Sequence, residues 1–593
     1  MGVAAMRVAV LIKQVPKGEA TLTDAGTLRR DGVELEVNAY CRRANAKAVE
    51  LAGDDGEVVV FTMGPPSADD ALREMIACGA TRGVLICDPA LAGSDTLVTA
   101  RVLGAALHLE GPFDLVLAGL NAIDADTGQV PPQVAELLDV PFVHAARQLG
   151  VTPGGRGIHV VTETDTFNET VEVALPALVS TAERLCEPSK APPEARATVA
   201  AERITRLSAA ELGFRATNIG LRGSPTQVGP PRLVTTDRRR AVVDSVDAAV
   251  AALHANGAFD AGGERALDPV PIGPLGPVPI WVVLDRPGTG YELLGRAADL
   301  AVALGGTVTA IVAEPPAGEL GRYGADDVVI VAGSHADDRG ELLAAAAALT
   351  NPAVILVDGT FSGRAIASKI AARHGWGLIG DGISVDVAPG GRLTVWKPAL
   401  GGRLVAPITS TSPVQMATIR PGALPPRAAR QAVAKQFAWS GARRHGRRVQ
   451  VTDTIEVDTG RAALAAADVV IGVGQGVDPE RYALLEPLAA RLGAVIGATR
   501  KVTDRGWMPR SRQIGITGSA ISPRLYISVG ASGRYNHSCG FAAATTVLAV
   551  NADPDAEIFD HADVGIVGDW AAVVAELAAS VPQVGAGTLA AHG

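Results

Sequence analysis

The sequence predicts an α/β protein made of two related modules and a third α/β unit with a parallel sheet. Short apolar runs alternate with helical segments along most of the chain, which is typical of a parallel sheet covered by helices on both faces. The same order of runs and turns then occurs a second time, which indicates an internal repeat.

The first module covers residues 1–258. Its apolar runs RVAVLI, EVVVFTM, GVLICD and DLVLAG are predicted strands, and segments such as CRRANAKAVELA and TLVTARVLGAALHLE are predicted helices. The proline-rich stretch CEPSKAPPEARATVAAE predicts an extended arm, and SVDAAVAALHANG predicts one last helix that ends at Gly257. Residues 259–277 are rich in Pro and Gly and are predicted to form a linker between domains.

The second module covers residues 278–440, with WVVLD, TVTAIVA, DVVIVAG and AVILVDG as its predicted strands. YGADDVVIVAG takes the place that CGATRGVLICD takes in the first module, so the two modules are predicted to be copies of one fold. A third unit, residues 446–593, contains DVVIGVGQGV, GAVIGATR, LYISVG, TVLAVN and VGIVGDW.

Composition excludes several classes of protein. The net charge of -10 argues against a nucleic-acid-binding protein, which would show a basic footprint. Apolar runs all fall short of the roughly 18 residues that predict a membrane span, and the first residues lack a cleavable signal pattern. The five cysteines are scattered without a CxxC pair, so we expect no metal site. We therefore expect a cytoplasmic protein that is not integral to a membrane.

Turns in the third unit combine glycine with polar residues at the ends of predicted strands. In an open α/β sheet these ends form the ligand crevice, and a helix that starts there offers N–H groups to a phosphate. Several such turns in one unit predict a large nucleotide-like ligand. They are Gly472–Gly476, Gly497–Arg500, Gln513–Gly518, Gly530–His537, Asn551 and Gly568–Asp569.

The first module has a comparable polar turn in AGLNAIDADTGQV, which follows the predicted strand DLVLAG. Asp124, Thr127, Gly128 and Gln129 stand where a helix begins, and these residues can bind a phosphate through side-chain and backbone donors. A second interpretation is an ordinary capped helix, with Thr127 or Asp126 as the N-cap.

These motifs together resemble electron transfer flavoprotein with its beta and alpha subunits fused in that order. IKQVP, NAIDADTGQV and LPALVST are similar to the beta subunit. STSPVQMATIRPG, GATRKVTDRGWMP, RQIGITG, GASGRYNHSCG and AVNADPDAEIFDHADVGIVGDW are similar to the alpha subunit. The resemblance implies a beta-like domain at 1–258 whose arm after Leu185 supports the flavin domain, an alpha N-terminal domain at 278–440, and an FAD-binding domain at 446–593.

The resemblance also implies roles for single residues. His537 would hydrogen-bond the flavin near its C2 carbonyl, where a donor stabilises the negative charge of reduced flavin. Ser532 would contact the FAD pyrophosphate, with Gly530 and Gly533 allowing close approach, and Arg500 would lie over the flavin ring. The remaining implied contacts to FAD are Gln475, Thr499, Gln513, Ile516, Thr517, Asn551 and Asp569. The residues alone leave another interpretation of His537, a turn histidine satisfied by the backbone.

The chain departs from the family pattern within these motifs. Gln475 stands where the family has an arginine, Ile516 where it has a second glutamine, and Arg534 and Tyr535 where it has small or apolar residues. We hypothesise that Arg534 compensates for the charge lost at Gln475. In the first module, the resemblance implies AMP or a second FAD at the Asp124–Gln129 loop.

The implied function is an electron carrier rather than an enzyme with its own substrate. It would accept electrons from flavin-dependent dehydrogenases and pass them to a quinone-linked oxidoreductase of the membrane. One alternative is an electron-bifurcating flavoprotein with two FADs that oxidises NADH. Another is a nucleotide-binding sensor or interaction protein whose redox site has decayed. The fused chain would replace the usual heterodimer, and further dimerisation is left open.

Overall fold

The computed structural model describes residues 5–17, 33–122, 124–164, 167–233, 238–259, 269–285, 290–316, 319–333, 335–399, 404–425, 427–439, 441, 448–456, 460–515 and 518–583. Part of the predicted linker, residues 260–268, lies outside these residues.

The apolar runs of the first module form strands, and the segments between them form helices, as predicted. The strands are β1 (Arg7–Leu11), β2 (Gln14–Pro16), β3 (Leu35–Val37), β4 (Glu57–Met63), β5 (Arg82–Ile86), β6 (Leu115–Gly119), β7 (Phe142–Val151), β8 (Gly157–Glu163), β9 (Phe167–Ala174), β10 (Ala177–Thr181), β11 (Ile204–Leu207), β12 (Thr226–Val228), β13 (Arg232–Leu233) and β14 (Ala241–Val243). The helices are α1 (Ala39–Ala52), α2 (Asp69–Ala77), α3 (Thr96–Glu110), α4 (Val130–Leu137), α5 (Pro193–Ala197), α6 (Gly220–Gly223) and α7 (Val246–Ala255).

The rest of the chain continues the alternation of strand and helix. The strands are β15 (Val278–Val283), β16 (Gly306–Val312), β17 (Asp327–Ile330), β18 (Val354–Asp358), β19 (Leu378–Gly382), β20 (Ser384–Val387), β21 (Leu393–Ala399), β22 (Leu404–Ser410), β23 (Gln415–Ile419), β24 (Lys435–Ala438), β25 (Val449–Glu456), β26 (Val469–Val473), β27 (Val495–Ala498), β28 (Leu525–Val529), β29 (Thr546–Asn551) and β30 (Val564–Val567). The helices are α8 (Tyr291–Leu304), α9 (Ala336–Thr350), α10 (Phe361–His374), α11 (Gly460–Ala466), α12 (Glu486–Leu492), α13 (Arg500–Asp504), α14 (Tyr535–Ser538) and α15 (Trp570–Ser580).

The strand order confirms that the first two modules are copies of one fold. The first sheet runs β11-β5-β4-β1-β6-β10-β7, all parallel, and continues with the antiparallel strands β8, β9 and β25. The second sheet runs β24-β17-β16-β15-β18-β23-β19, again all parallel. Each strand of the second series occupies the position of its counterpart in the first, so the repeat seen in the sequence is a repeat of topology.

The two modules share a hydrophobic core. Leu103 on α3 and Val134 on α4 belong to the same buried cluster as Leu343 on α9 and Ile366 on α10. Burial of this apolar surface is the main force that holds the modules together.

The C-terminal sheet is parallel throughout and runs β14-β30-β29-β28-β26-β27. Its edge strand β14 comes from the end of the first module, with Ala241 opposite Val564. Helices α7, α12 and α15 pack together on this sheet.

Two sequence expectations about segment placement differ from the structure. Residues 449–456, predicted to belong to the third unit, pair with β9 of the first sheet, with Val449 opposite Val173. The proline-rich segment predicted as an extended arm instead folds back onto its own module. There Arg196 on α5 forms an ion pair with Glu74 on α2 at 2.7 Å, and β11 joins the first sheet. The chain reaches the C-terminal sheet only later, at β14.

Candidate functional site

The carboxyl ends of the C-terminal sheet lie along one edge. Strands β26, β27, β28 and β29 end there at Val473, Ala498, Val529 and Asn551. From β26 the chain first adds β27 on one side and then β28 on the other side. This is a topological switch point, the position at which open parallel sheets bind their ligands.

Glycines at this switch point allow two loops to approach each other closely. The N–H of Gly474 donates to the carbonyl of Val529 at 2.8 Å, and the N–H of Gly476 donates to the carbonyl of Gly530 at 3.0 Å. A Cβ added to Gly474 would lie 2.1 Å from the Gly530 carbonyl oxygen, which no other residue tolerates. Gly533, at φ +82, is required in the same way, because its Cβ would lie 2.0 Å from the nitrogen of Ile558. The bare backbone therefore serves contacts within the protein.

His537 is buried, and both of its ring nitrogens are engaged within the protein. Nδ1 lies 2.9 Å from the carbonyl oxygen of Ile514, and Nε2 lies 2.8 Å from the hydroxyl of Tyr526. Because a carbonyl can only accept, Nδ1 carries the proton and Nε2 accepts from the tyrosine. Burial lowers the pKa of His537 to about 4, so the ring is neutral at pH 7. Its contact to a flavin stays a prediction, and it would require Nε2 to exchange its present partner.

Tyr526 is a residue that the sequence analysis missed, because its letter falls inside the apolar run LYISV. Its side chain is fully buried and stacks on Phe541 at a ring-centroid distance of 4.1 Å. A Cβ on Gly472 of the neighbouring strand would lie 1.7 Å from the tyrosine hydroxyl. Gly472 is therefore needed to make room for Tyr526.

Arg500 lines an open cleft of about 630 Å³ beside α13. Its Nε donates to Asp504 at 3.1 Å on the exposed surface. The opposite wall of the cleft comes from the first module. There Glu183 forms an ion pair at 2.8 Å with Arg510 of the C-terminal unit. The cleft therefore lies between the C-terminal unit and the first module. Volumes of this order are typical of ligand sites.

Two further predicted residues lie behind the residues that line the cleft. The backbone N–H of Thr499 donates to the carbonyl of Val473 at 2.9 Å, which places this residue at the strand ends. Gln513 is buried, and its side-chain oxygen accepts from the Thr503 hydroxyl at 2.9 Å. Gln513 thus fixes the cleft wall from behind.

Gln475 follows Gly474 in the loop after β26, and its side chain contacts Arg505. The hydrogen-bond network orients the Gln475 amide so that its oxygen accepts from Arg505 Nη1 at 2.8 Å and Nη2 at 2.6 Å. The cation that contacts Gln475 is therefore Arg505. Nothing in the sequence pattern signals this contact, because it depends on where α13 ends. That Arg534 compensates for the charge lost at Gln475 stays a prediction.

The remaining predicted residues of this unit occupy the same edge of the sheet. Asn551 donates through Nδ2 to the carbonyl of Ala531 at 2.8 Å, and Asp569 caps α15 by accepting from the N–H of Ala572 at 3.1 Å. Ser532 is exposed beside them. Ile516 and Thr517, which were also predicted to contact FAD, lie outside the described residues.

In the first module, the predicted Asp124–Gln129 loop faces the second module. Lys13 Nζ lies 2.7 Å from Asp124, and the Gln129 amide, oriented by its neighbours, accepts from the N–H of Gly380 at 3.2 Å. Gly128, at φ +61, lines a cavity of about 20 Å³, which is room for one water molecule rather than a nucleotide. Thr127 is half-buried beside it. Asp124 and Gln129 of this loop therefore already have partners within the protein.

A buried charge cluster lies next to this loop. Burial and the neighbouring carboxylate of Asp381 raise the pKa of Asp126. Burial opposes ionisation of Asp381 as well, but Arg420, Lys397 and Arg364 hold the pKa of Asp381 below its usual value. The cluster joins the loop of the first module to the second module by charge as well as by packing.

The part of the chain that the structure describes offers neither a metal site nor a membrane-spanning helix. It holds no group of three or more His, Cys, Asp or Glu residues placed to bind a metal ion. None of its helices combines the length and the hydropathy needed to cross a bilayer.

Both copies of the repeated module match one known family domain. Residues 25–212 and 288–439, together more than half of the chain, match the electron transfer flavoprotein domain. The chain belongs to the electron transfer flavoprotein family. Residues 463–542, which carry the switch point, match the electron transfer flavoprotein FAD-binding domain.

Individual relatives of this family cover about half of the chain. Electron transfer flavoprotein subunit alpha of Thermoanaerobacterium thermosaccharolyticum is 33% identical over 50% of this chain and 95% of its own length. Protein FixB of Azorhizobium caulinodans is 34% identical over 49% of this chain and 85% of its own length. Electron transfer flavoprotein subunit alpha of Mycobacterium leprae is 32% identical over 50% of this chain and 87% of its own length.

The donors at the switch point fit the FAD that the matched domain binds in this flavoprotein family. Arg505 and Arg534 are exposed cations near the strand ends, and Ser532 is an exposed hydroxyl in the loop after β28. Such donors suit a pyrophosphate, which guanidinium groups bind through paired hydrogen bonds. The cleft beside Arg500 adds the volume that a flavin ring requires.

Proposed function

We propose that this chain is an FAD-containing electron carrier located in the cytoplasm. It accepts electrons from flavin-dependent dehydrogenases and passes them to a quinone-linked oxidoreductase of the membrane. The observation that carries the proposal is the switch-point crevice, which lies in the segment that matches the family's FAD-binding domain. Bound FAD would supply the redox chemistry, because it exchanges one or two electrons.

The residues at the strand ends would hold and tune this cofactor. Ser532 would donate to the pyrophosphate, and Arg500 would place positive charge in the cleft. Positive charge beside a flavin stabilises its reduced form by Coulomb attraction. The other proposed contacts are Gln475, Thr499, Gln513, Ile516, Thr517, Gly530, Gly533, His537, Asn551 and Asp569.

We also propose that one chain combines the parts of the family's beta and alpha subunits, with boundaries at 1–258, 278–440 and 446–593. The two matches to the same family domain support this division. Two strands cross these boundaries, because β14 of residues 1–258 completes the C-terminal sheet and β25 of residues 446–593 extends the first one.

Flavin content of the purified chain tests the proposal. We expect a yellow protein with one FAD released per chain on denaturation, and with reduction by a flavin dehydrogenase rather than by NADH directly. Reduction by NADH with two FADs per chain would instead establish the electron-bifurcating alternative. A colourless chain that FAD does not reconstitute would leave the nucleotide-binding sensor.

The first-module loop bears on this choice. AMP or a second FAD there would have to displace the contacts of Gln129 and Asp124, since the adjoining cavity holds only about 20 Å³. This arrangement favours the carrier with one FAD over the bifurcating protein with two.

A further inference from the structure

Arg505 is a cation without an ion pair among the residues that the structure describes. The carboxylate nearest in the sequence, Asp504, is engaged by Arg500 at 3.1 Å and by Arg510 at 3.7 Å. The side chain of Arg505 is exposed, and no carboxylate of the described residues neutralises its charge.

Two neutral neighbours hold the guanidinium in place. Gln475 accepts from both terminal nitrogens of Arg505, and the ring of Trp507 lies 4.8 Å from the guanidinium carbon. A free arginine loses roughly 2 kcal/mol of rotamer entropy when it is ordered. Because these contacts already orient Arg505, its side chain would lose less rotamer entropy when an anion binds it.

Two N–H groups of the loop after β26 are not available to an anion. Dinucleotide-binding loops usually present free N–H groups to the pyrophosphate. Here the N–H groups of Gly474 and Gly476 are consumed by the carbonyls of Val529 and Gly530. The charged group anchored on this same loop is Arg505, through Gln475.

We propose that Arg505 binds the pyrophosphate of the dinucleotide and that Gln475 is the positioning residue that holds its guanidinium. This inference rests on the proposed function and names the group that recognises the charged part of the cofactor. Arg534, on the loop after β28, serves as the comparison, because it is also exposed and cationic.

The test compares FAD with riboflavin, which has the same ring but no phosphate, on the deflavinated full-length chain. Flavin fluorescence would give the dissociation constants of wild type, Arg505→Gln, Arg505→Lys, Gln475→Ala and Arg534→Gln at low and high salt. We expect Arg505→Gln to raise the dissociation constant of FAD at least about tenfold, because a charge-assisted hydrogen bond is lost. The dissociation constant of riboflavin should stay unchanged. Arg505→Lys should recover part of the loss, and high salt should shrink it.

Gln475→Ala should raise the dissociation constant of FAD by a smaller factor. The charge of Arg505 remains in this variant, but its guanidinium is no longer held in position. Equal losses for FAD and riboflavin would overturn the assignment to the pyrophosphate. A larger loss of FAD affinity in Arg534→Gln than in Arg505→Gln would instead assign pyrophosphate binding to Arg534. A wild-type chain that does not bind FAD would overturn the proposed function and this inference with it, whereas an unchanged Arg505→Gln in a flavin-binding chain would overturn this inference alone. Circular dichroism checks that each variant is folded.

Discussion

The hydroxyl of Tyr526 lies 2.8 Å from Nε2 of His537 in the core of the C-terminal unit. Both side chains are buried, and the second nitrogen of the histidine is held by the carbonyl of Ile514. The carbonyl therefore fixes the tautomer of the imidazole: Nδ1 donates to Ile514, and Nε2 accepts from the tyrosine hydroxyl.

We expect Tyr526→Phe to destabilise the C-terminal sheet by about 1–3 kcal/mol, because Nε2 then lies buried without a donor. Hydrogen exchange of the β28 amides in the full-length chain would measure this locally. Tyr482→Phe is the matched control, since the Tyr482 hydroxyl is buried and has no hydrogen-bond partner among the described residues, so its removal should be nearly neutral. Equal effects of the two substitutions would contradict the expectation.

The stability of the C-terminal unit should fall between pH 6.5 and pH 4. The pKa of His537 is lowered by burial to about 4 when folded and returns to its ordinary value of about 6.5 when unfolded. Over this range the unfolded chain binds a proton that the folded chain does not. The free energy of unfolding therefore falls by about 3 kcal/mol as the pH falls. Above pH 6.5 the contribution is fully present, and below pH 4 no more is lost.

His537→Gln should remove this part of the pH dependence, as measured by β28 amide exchange. The measurement must be local, because burial also lowers the pKa of His335 in the second module, to about 3. Replacing the exposed His254 by Gln is the control and should leave the profile intact. An unchanged slope in His537→Gln would show that another group titrates.

Gly472→Ala should destabilise the C-terminal sheet by about 3 kcal/mol, because the new Cβ would meet the Tyr526 hydroxyl at 1.7 Å. In a Tyr526→Leu background the same change should matter much less, since the obstructing atoms are gone. Gly568→Ala, whose nearest neighbour is an ordinary contact at 3.4 Å, is the control in urea unfolding. Additive effects of Gly472→Ala and Tyr526→Leu would rule out the clash.

Gln129→Ala should weaken the contact between the two modules by about 1–3 kcal/mol, because a buried amide that bonds Gly380 is lost. Hydrogen exchange of the second sheet would report this. The exposed Gln227→Ala is the control and should change little. Should Gln129→Ala prove as neutral as the control, the amide would have no role in joining the modules.

The ion pair between Glu183 and Arg510 should contribute little to stability, since both side chains are partly exposed. We expect a double-mutant cycle of Glu183→Gln and Arg510→Gln to give about 0.5 kcal/mol at low salt and none at 1 M NaCl. The pair of Arg524 and Asp468, within the C-terminal unit, offers the matched cycle. A large, salt-insensitive coupling would mean that the cleft closes around this pair.

Strand positions and the repeated module followed from the sequence, because buried parallel strands are continuous apolar runs that read clearly. The motif around His537 lies at the carboxyl edge of the C-terminal sheet, as the sequence indicated, and ligand binding at this edge stays a prediction. The partners of His537 did not follow, since Tyr526 looks like one more apolar strand residue. The placement of Val449–Glu456 was equally hidden, because its mostly exposed residues carry no mark of the distant strand they pair with.

Exchange of edge strands between the two ends of the chain has a consequence for biosynthesis. β14 leaves the ribosome long before its partner β30, and β9 long before β25. Until synthesis nears its end, the nascent chain must therefore present an unpaired strand edge, which invites association with other chains. A stop codon shortly before β30 would leave β14 permanently without its neighbour.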